Sequence, residues 1–231
     1  MSGRWGRNAL NTEVLRQAHL FSGLDDEAAE ALGASMVENR LGRGDILFHE
    51  GDRLYVVTDG KVKLGRTSAD GRENLLAILG PGQMFGELSL FDPGPRSATV
   101  TAVTDCTMQS LSHDELGGWL TGRPEVARGL LTQLAGRLRK ANDVVADLVF
   151  SDVPGRVAKA LLDLSSRFGR VANDGVHVHH DLTQEELAQL VGASRETVNK
   201  ALADFASRGW LRLEARSVVL MDVERLKRRA R

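Results

Sequence analysis

Residues 181–202 read DLTQEELAQLVGASRETVNKAL, and this segment predicts two short helices joined by a tight turn. Thr183, followed three residues later by Glu186, forms a capping box at the start of the first helix. Gly192 lies where a tight turn needs a positive φ angle, and Ser194 is a good N-cap for the second helix. Two helices joined in this way are typical of a helix-turn-helix.

The outward surface of the second predicted helix carries polar side chains that are suited to DNA. In a helix-turn-helix, the start of this helix enters the major groove. Arginine or lysine can donate to guanine there, glutamate can accept from cytosine, and hydroxyl groups suit phosphate contacts. The predicted DNA-binding residues are Ser194, Arg195, Glu196, Thr197, Asn199 and Lys200. Residues 210–213 and 218–220 predict a two-stranded wing around Arg216. The alternative is a helical hairpin that does not bind DNA.

Charge and cysteine content restrict the class of protein. The 231 residues have a net charge of −1, which excludes a histone-like polycation, but residues 195–231 hold 10 basic and 5 acidic side chains. This local excess fits a module that approaches a polyanion, or an ordinary solvated helix that ends in a frayed tail at residues 227–229. The single cysteine, Cys106, excludes an internal disulfide and an iron–sulfur cluster. No apolar run approaches the roughly 20 residues of a membrane span, so we expect a soluble, cytoplasmic protein.

The stretch between residues 41 and 111 predicts short strands separated by turns. Residues 55–57, 62–64 and 75–79 have the composition and length of strands. The dipeptides Asp59-Gly60 and Asp70-Gly71 between them favour tight hairpin turns. Many short strands at such spacing predict a β-sandwich or a β-roll.

Residues 124–150 predict one long helix with an apolar seam. The seam repeats at intervals of three and four residues through Leu131, Leu134, Leu138, Ala141, Val145 and Leu148. Such a heptad pattern favours a partner helix, and hence a homodimer. The alternative is a long helix that packs on its own β-domain.

The sequence therefore predicts an α+β protein in three parts. Asp152 and Pro154 end the long helix and can start a new one, which makes this junction a natural hinge. We expect a β-roll (a double-stranded jelly roll) over residues 12–123, a dimerisation helix over residues 124–150, and a winged helix-turn-helix over residues 151–231.

A β-roll, a long helix and a winged helix-turn-helix, in this order, resemble the CRP/FNR family over nearly the whole chain. Residues 151–158 and 192–202 look especially like actinobacterial cyclic-AMP receptor proteins. The resemblance implies a dimer that binds cAMP or a related cyclic nucleotide, then a palindromic site in double-stranded DNA with half-sites similar to TGTGA. It also implies RNA polymerase as a partner. Arg195, Glu196 and Lys200 match the base-reading positions of the family.

Residues 85–91 and 95–99 resemble the phosphate-binding cassette of that family. A cyclic phosphate needs a guanidinium, a hydroxyl and free N–H groups, and a ribose hydroxyl needs a carboxylate acceptor such as Glu87. The implied ligand-binding residues are Gly86, Glu87, Leu88, Ser89, Arg96, Ser97, Ala141 and Asn142. Without the resemblance, Glu87 and Arg96 could equally form a plain ion pair in a loop.

Two features depart from the family pattern. Cyclic-AMP-binding relatives usually carry a threonine on the long helix to contact adenine, followed by a serine or an asparagine. Here Ala141 stands in place of the threonine, and Asn142 follows it. We expect weaker binding or a different selectivity, and the first rival hypothesis is a DNA-binding regulator that no longer responds to a nucleotide. The segment from Glu50 to Tyr55 is about three residues shorter than its counterpart, which predicts a tighter strand connection.

Other candidate sites have too few suitable residues. His177 and His179 on one strand face would give only two metal ligands, and His49 with Glu50 lacks the histidine cluster of a cupin. Cys106 has no nearby histidine and acid that would activate it as a nucleophile. We therefore predict no metal site and no catalytic residue. A β-roll enzyme with an appended helical domain remains the second rival, and it predicts a bound catalytic metal.

Overall fold

The structure is a computed structural model that describes residues 12–18, 21, 23–47, 53–68, 73–92 and 98–231. The chain forms two compact units. The first comprises residues 1–66 and 76–139, and the second comprises residues 67–75 and 140–231. The division falls inside the long helix, between residues 139 and 140. The domain boundaries at residues 123 and 150 stay predictions.

The first unit is built on antiparallel strands and small helices. Its strands are β1 Val37–Leu41, β2 Arg53–Asp59, β3 Val62–Thr67, β4 Glu73–Leu79, β5 Met84–Phe85, β6 Thr99–Ala102 and β7 Cys106–Ser112. The last residue of β3 and the first three residues of β4 fall in the 67–75 segment, which is assigned to the second unit. Its helices are α1 Thr12–Gln17, α2 Asp26–Ser35, α3 Leu88–Phe91, α4 His113–Gly122 and the first part of α5, Pro124–Phe150. The strands form one sheet in the order β1-β7-β2-β5 and a second in the order β4-β3-β6. This arrangement confirms the predicted β-roll.

Two apolar clusters hold the β-roll together. One joins side chains from both sheets, including Tyr55 of β2, which stacks on Phe85 of β5 with ring centroids 5.1 Å apart. The other packs α2, α4 and the start of α5 against β2, and its fully buried members include Leu32, Leu116 and Val126. Burial of each such side chain contributes about 1.5–3 kcal/mol, so the helices are part of the fold of the unit.

The turn between β2 and β3 depends on a glycine. Gly60 has a φ angle of +76°, and a Cβ atom at this position would lie 2.2 Å from the carbonyl oxygen of Asp105. Both the backbone conformation and the close approach exclude a side chain. Gly60 has the predicted positive φ angle, but the predicted hairpin at Asp59-Gly60 is wrong, because β2 and β3 pair with other strands in different sheets. The Asp70-Gly71 turn lies outside the described residues.

The helix α5 has one face packed and another exposed. Val126 and Leu130 are buried against the β-roll. Leu131, Leu138 and Val145 of the predicted seam are 66%, 64% and 62% exposed in the single chain. Apolar packing on the β-roll therefore accounts for the start of the helix and leaves the predicted seam open.

The second unit is a helical domain with a small sheet. It contains the last part of α5, from residue 140, and the helices α6 Val153–Phe168, α7 Gln184–Val191, α8 Arg195–Ser207 and α9 Val223–Arg229. Its strands are β8 Gly169–Ala172, β9 Gly175–Val178, β10 Leu211–Glu214 and β11 Ser217–Leu220. The strands form one antiparallel sheet in the order β10-β11-β9-β8. The predicted wing of two strands is thus part of a four-stranded sheet, because β11 pairs with β9 as well as with β10.

No helix in the described part of the chain is both long enough and apolar enough to cross a bilayer.

Candidate ligand site and nucleic-acid interface

The predicted ligand-binding loop follows β5 and enters the short helix α3. Gly86 has a φ angle of +91°, and Glu87, Leu88 and Ser89 follow it. The carbonyl oxygen of Gly86 accepts a hydrogen bond from the Ser89 hydroxyl at 3.3 Å, and the His113 ring nitrogen Nε2 lies 3.3 Å from the same oxygen. The start of α4 and the loop therefore meet at this carbonyl. Leu88 is half exposed.

Glu87 is a fully buried acid that pairs with the long helix. Its Oε1 atom accepts a hydrogen bond from Arg137 Nη1. Arg137 Nη2 donates to the carbonyl oxygen of Met84, which also accepts from Gln133 Nε2 at 3.2 Å. A buried carboxylate is stable only when it is paired, and Arg137 supplies the pairing charge.

The second oxygen of Glu87, Oε2, has no hydrogen-bond partner among the described residues. A buried acceptor without a partner costs about 1–3 kcal/mol, so this oxygen is suited to receive a hydroxyl donor from a ligand. The sequence prediction of Glu87 as a ribose-hydroxyl acceptor is consistent with this geometry. The contact with Arg137 was missed, and the only signal was a basic residue one turn after Gln133.

The predicted ligand-binding residues that do not belong to this loop lie either beyond the described residues or in the second unit. Arg96 and Ser97 lie outside the described residues, so the alternative Glu87–Arg96 ion pair is not tested. Ala141 and Asn142 lie on α5 in the second unit, and both are exposed.

The helix-turn-helix forms as the sequence predicts. The Thr183 hydroxyl accepts from the Glu186 N–H at 3.1 Å, and Glu186 Oε2 accepts from the Thr183 N–H at 2.8 Å. Gly192 ends α7 with a φ angle of +69°. Ser194 caps α8 by accepting from the Thr197 N–H at 3.2 Å. The helices α7 and α8 are therefore fixed locally by their end residues.

The predicted reading surface of α8 is exposed, except for one residue. Arg195, Glu196 and Lys200 are exposed, and Lys200 Nζ pairs with Glu196 Oε1 at 2.7 Å. The exposed hydroxyls of Ser194 and Thr197 lie 2.8 Å apart. The helix packs through the buried residues Val198, Ala201, Leu202 and Phe205. Asn199 is only half exposed, and its Oδ1 atom is buried without a partner in the described part of the chain. This side chain therefore lies only partly on the outer surface of α8.

The segments that follow α8 carry further basic residues with defined local structure. Arg216, at the turn between β10 and β11, has a φ angle of +59°, and its carbonyl oxygen accepts from the Asp181 N–H at 2.9 Å. The basic end of α9 is ordered by ion pairs: Arg229 binds Asp152, and Lys227 binds Glu224 at 2.8 Å. The interpretation of residues 227–229 as a frayed tail is wrong.

The described residues contain no group of three or more histidine, cysteine, aspartate or glutamate side chains that could hold a metal. His177 pairs with Asp174 at 2.7 Å, and His179 lies after the end of β9. Burial raises the pKa of the Cys106 thiol to about 11, which disfavours the nucleophilic thiolate. His49 and Glu50 lie outside the described residues.

Comparisons with known proteins agree with both halves of this arrangement. The family descriptions "Cyclic nucleotide-binding domain" and "Crp-like helix-turn-helix domain" match residues 38–121 and 155–229. The chain is 55% identical over 222 residues to the "CRP-like cAMP-activated global transcriptional regulator" of Mycobacterium tuberculosis, which covers 95% of this chain and 99% of the relative. The chain belongs to the CRP/FNR family. As a member, it joins a cyclic-nucleotide-binding β-roll to a DNA-binding helix-turn-helix of a transcription regulator.

More distant CRP/FNR proteins show the same organisation. The "Cyclic AMP receptor protein" of Thermus thermophilus is 38% identical over 217 residues, which are 90% of this chain and 97% of that protein. Among solved structures, the c-di-GMP responsive global regulator CLP of Xanthomonas campestris superposes with a TM-score of 0.72 at 28% identity, covering 85% of this chain and 99% of that one. A CRP/FNR-family transcriptional regulator, also from Thermus thermophilus, gives 0.70 at 29%, covering 84% and 97%.

Proposed function

We propose that this CRP/FNR protein is a homodimer that binds cAMP and then a palindromic promoter site with TGTGA-like half-sites. The observation that carries the effector part is the buried Glu87 carboxylate, which has one oxygen on Arg137 and one oxygen free of a described partner. The cAMP in the names of two curated relatives supports the choice of nucleotide.

The homodimer forms through α5. The exposed seam includes Leu131, Leu138, Val145 and Leu148, each more than half accessible to solvent in the single chain. Burial against the same seam of a second copy contributes roughly 1–2 kcal/mol for each such side chain, because a fully buried one contributes about 1.5–3 kcal/mol. The exposure of the seam and its heptad spacing support a pair of parallel helices.

The effector is held by groups that match its chemistry. Glu87 Oε2 accepts the ribose 2′-hydroxyl, Arg96 and Ser97 bind the cyclic phosphate, and Asn142 contacts the adenine edge. Gly86, Leu88 and Ser89 shape the loop, and Ala141 lies beside Asn142. Arg137 pairs with Glu87 and orients it. A nucleotide that binds one arrangement of the paired helices more tightly shifts the population toward that arrangement.

DNA recognition follows from the exposed start of α8. Arg195, Glu196 and Lys200 read base edges, while Ser194 and Thr197 bind phosphates. In a dimer the two reading helices engage half-sites about 34 Å apart, one turn of DNA. The ion pair between Glu196 and Lys200 must open for both side chains to reach bases. Such a regulator acts with RNA polymerase in the cytoplasm and performs no catalytic step.

A titration of labelled operator DNA, followed by fluorescence anisotropy with and without cAMP, tests the proposal. We expect tighter binding with cAMP. We also expect Arg195→Ala to reduce the discrimination between TGTGA and a changed half-site by roughly 1–3 kcal/mol. Discrimination that survives this substitution would refute the base-reading assignment.

A regulator that ignores nucleotides is the second candidate, favoured by Ala141. An alanine offers no hydrogen bond to a base, and one such bond contributes about 0.5–1.5 kcal/mol. Calorimetry with cAMP separates the two candidates. Absence of heat at millimolar cAMP would reject the sensor and leave the nucleotide-independent regulator.

A further inference from the structure

Arg156, in the first turn of α6, connects two separate parts of the second unit. Its Nη1 atom donates to the carbonyl oxygen of Ser151 at 2.8 Å. Its Nε atom donates to the carbonyl of Val191 at 3.1 Å, and its Nη2 atom donates to that of Gly192 at 3.3 Å. Ser151 follows the end of α5, and Val191 and Gly192 end α7. One guanidinium therefore joins the long helix to the turn of the helix-turn-helix.

The chemistry of these carbonyls explains why an arginine is needed. Carbonyl groups at the C-terminal end of a helix lack partners within the helix and carry the negative end of its dipole. The guanidinium has five N–H donors in a fixed plane and can reach several of them at once. A lysine ammonium keeps the charge but is a single point, so it cannot span three carbonyls on two elements.

Further contacts join α5 to the same turn and to α6. Leu148 Cδ2 lies 3.3 Å from the position that a Cβ atom on Gly192 would occupy. Lys159 of α6 pairs with Asp147 of α5, and Lys140 of α5 pairs with Asp163 of α6 at 2.7 Å. These contacts tie the end of α5 to α6 and to the turn that leads into α8.

We infer that Arg156 is a positioning residue for DNA recognition. It is half-buried, and it acts through the carbonyls that it binds, which fix the turn before α8 relative to the end of α5. The inference rests on the proposed function, since this orientation matters only when two reading helices of a dimer engage one palindromic site. A single half-site needs one reading helix and does not depend on the orientation.

The experiment compares a palindromic duplex with a duplex that contains one half-site. Full-length wild type, Arg156→Gln and Arg156→Lys are titrated by fluorescence anisotropy at one salt concentration and saturating cAMP. Arg170→Gln, exposed on β8, removes one positive charge from the same unit and is the matched control. Melting temperatures are measured for all variants. If Arg156→Gln folds poorly, Arg156→Lys, which keeps the charge, still tests the inference.

We expect both Arg156 variants to lose at least fivefold of the preference for the full site, while half-site affinity stays within twofold. Arg170→Gln should keep the wild-type preference. Equal losses on both duplexes would show a merely structural role and overturn the inference, as would an unchanged preference in both Arg156 variants. If the wild type itself does not prefer the full site, the proposed function fails and the inference fails with it.

Discussion

Removal of Arg137 should strongly destabilise the β-roll, because it leaves the buried Glu87 carboxylate without its pairing charge. Arg137→Met removes the only charge that the structure shows on the buried Glu87 carboxylate within the described residues. Breaking a buried ion pair on one side costs about 3–5 kcal/mol. Because the Arg137 side chain is 34% exposed, water can partly replace it, and we expect a value near the lower end, about 3 kcal/mol.

A double-mutant cycle separates the pair from the individual side chains. Glu87→Gln removes the charge but keeps an oxygen that Arg137 can bind, so we expect a loss of about 1–2 kcal/mol. The double variant should be more stable than the sum of the single losses predicts, by at least about 1 kcal/mol, because no charge is then left buried alone. Arg139→Met, at an exposed position two residues further along α5, is the control and should change the unfolding free energy by about 0.5 kcal/mol or less.

Urea denaturation at a fixed protein concentration measures these free energies. Trp119 lies on α4 against the core of the β-roll, whereas Trp210 stacks on Phe205 in the second unit. In a background with Trp5→Phe and Trp210→Phe, tryptophan fluorescence therefore reports the β-roll alone. Losses that add within about 0.5 kcal/mol would show that Glu87 and Arg137 are not coupled and would refute the reasoning.

Three further predictions concern the turn, the thiol and the hinge. Gly60→Ala should destabilise the β-roll by several kcal/mol more than Gly44→Ala, since both have positive φ angles but only Gly60 meets backbone atoms; equal melting temperatures would contradict this. Cys106 should react with iodoacetamide at pH 8 roughly 100-fold more slowly in the folded protein than after unfolding, and equal rates would refute the burial. The pKa of Asp152 is lowered, first by the hydrogen bond from Arg229, so its charge stabilises the fold above the ordinary value of 3.8 and this contribution is lost as the pH falls below it. The difference in melting temperature between the wild type and Asp152→Asn should therefore become smaller in acid. A difference that does not change with pH would contradict this role of the Asp152 charge.

The features predicted correctly from sequence are those with local causes. The long helix spans Pro124–Phe150 as predicted, because Asp152 and Pro154 stop it within a few residues. The helix-turn-helix follows from Thr183 and Gly192, whose capping and turn conformations are decided within one helical turn. Such signals are readable in a single sequence because the partner atoms are near in the chain.

The features that were missed depend on distant partners. Arg137 reaches Glu87 across 50 residues, and Arg156 reaches Val191 across 35. Nothing in the spacing of these residues indicates that they meet, since packing of whole elements brings them together. The half-buried position of Asn199 is predictable from the sequence, because this residue follows the buried Val198 and borders the apolar face of α8.

The stoichiometry of the protein on its operator tests the central claim most directly. Sedimentation velocity of a labelled palindromic duplex with the full-length protein and cAMP measures the mass of the complex. Two copies of α5 joined by their apolar seams predict two chains on each duplex, with both bound at the lowest protein concentration that forms a complex. A complex with one chain, at concentrations where the duplex is saturated, would contradict the dimer and the DNA recognition that depends on it.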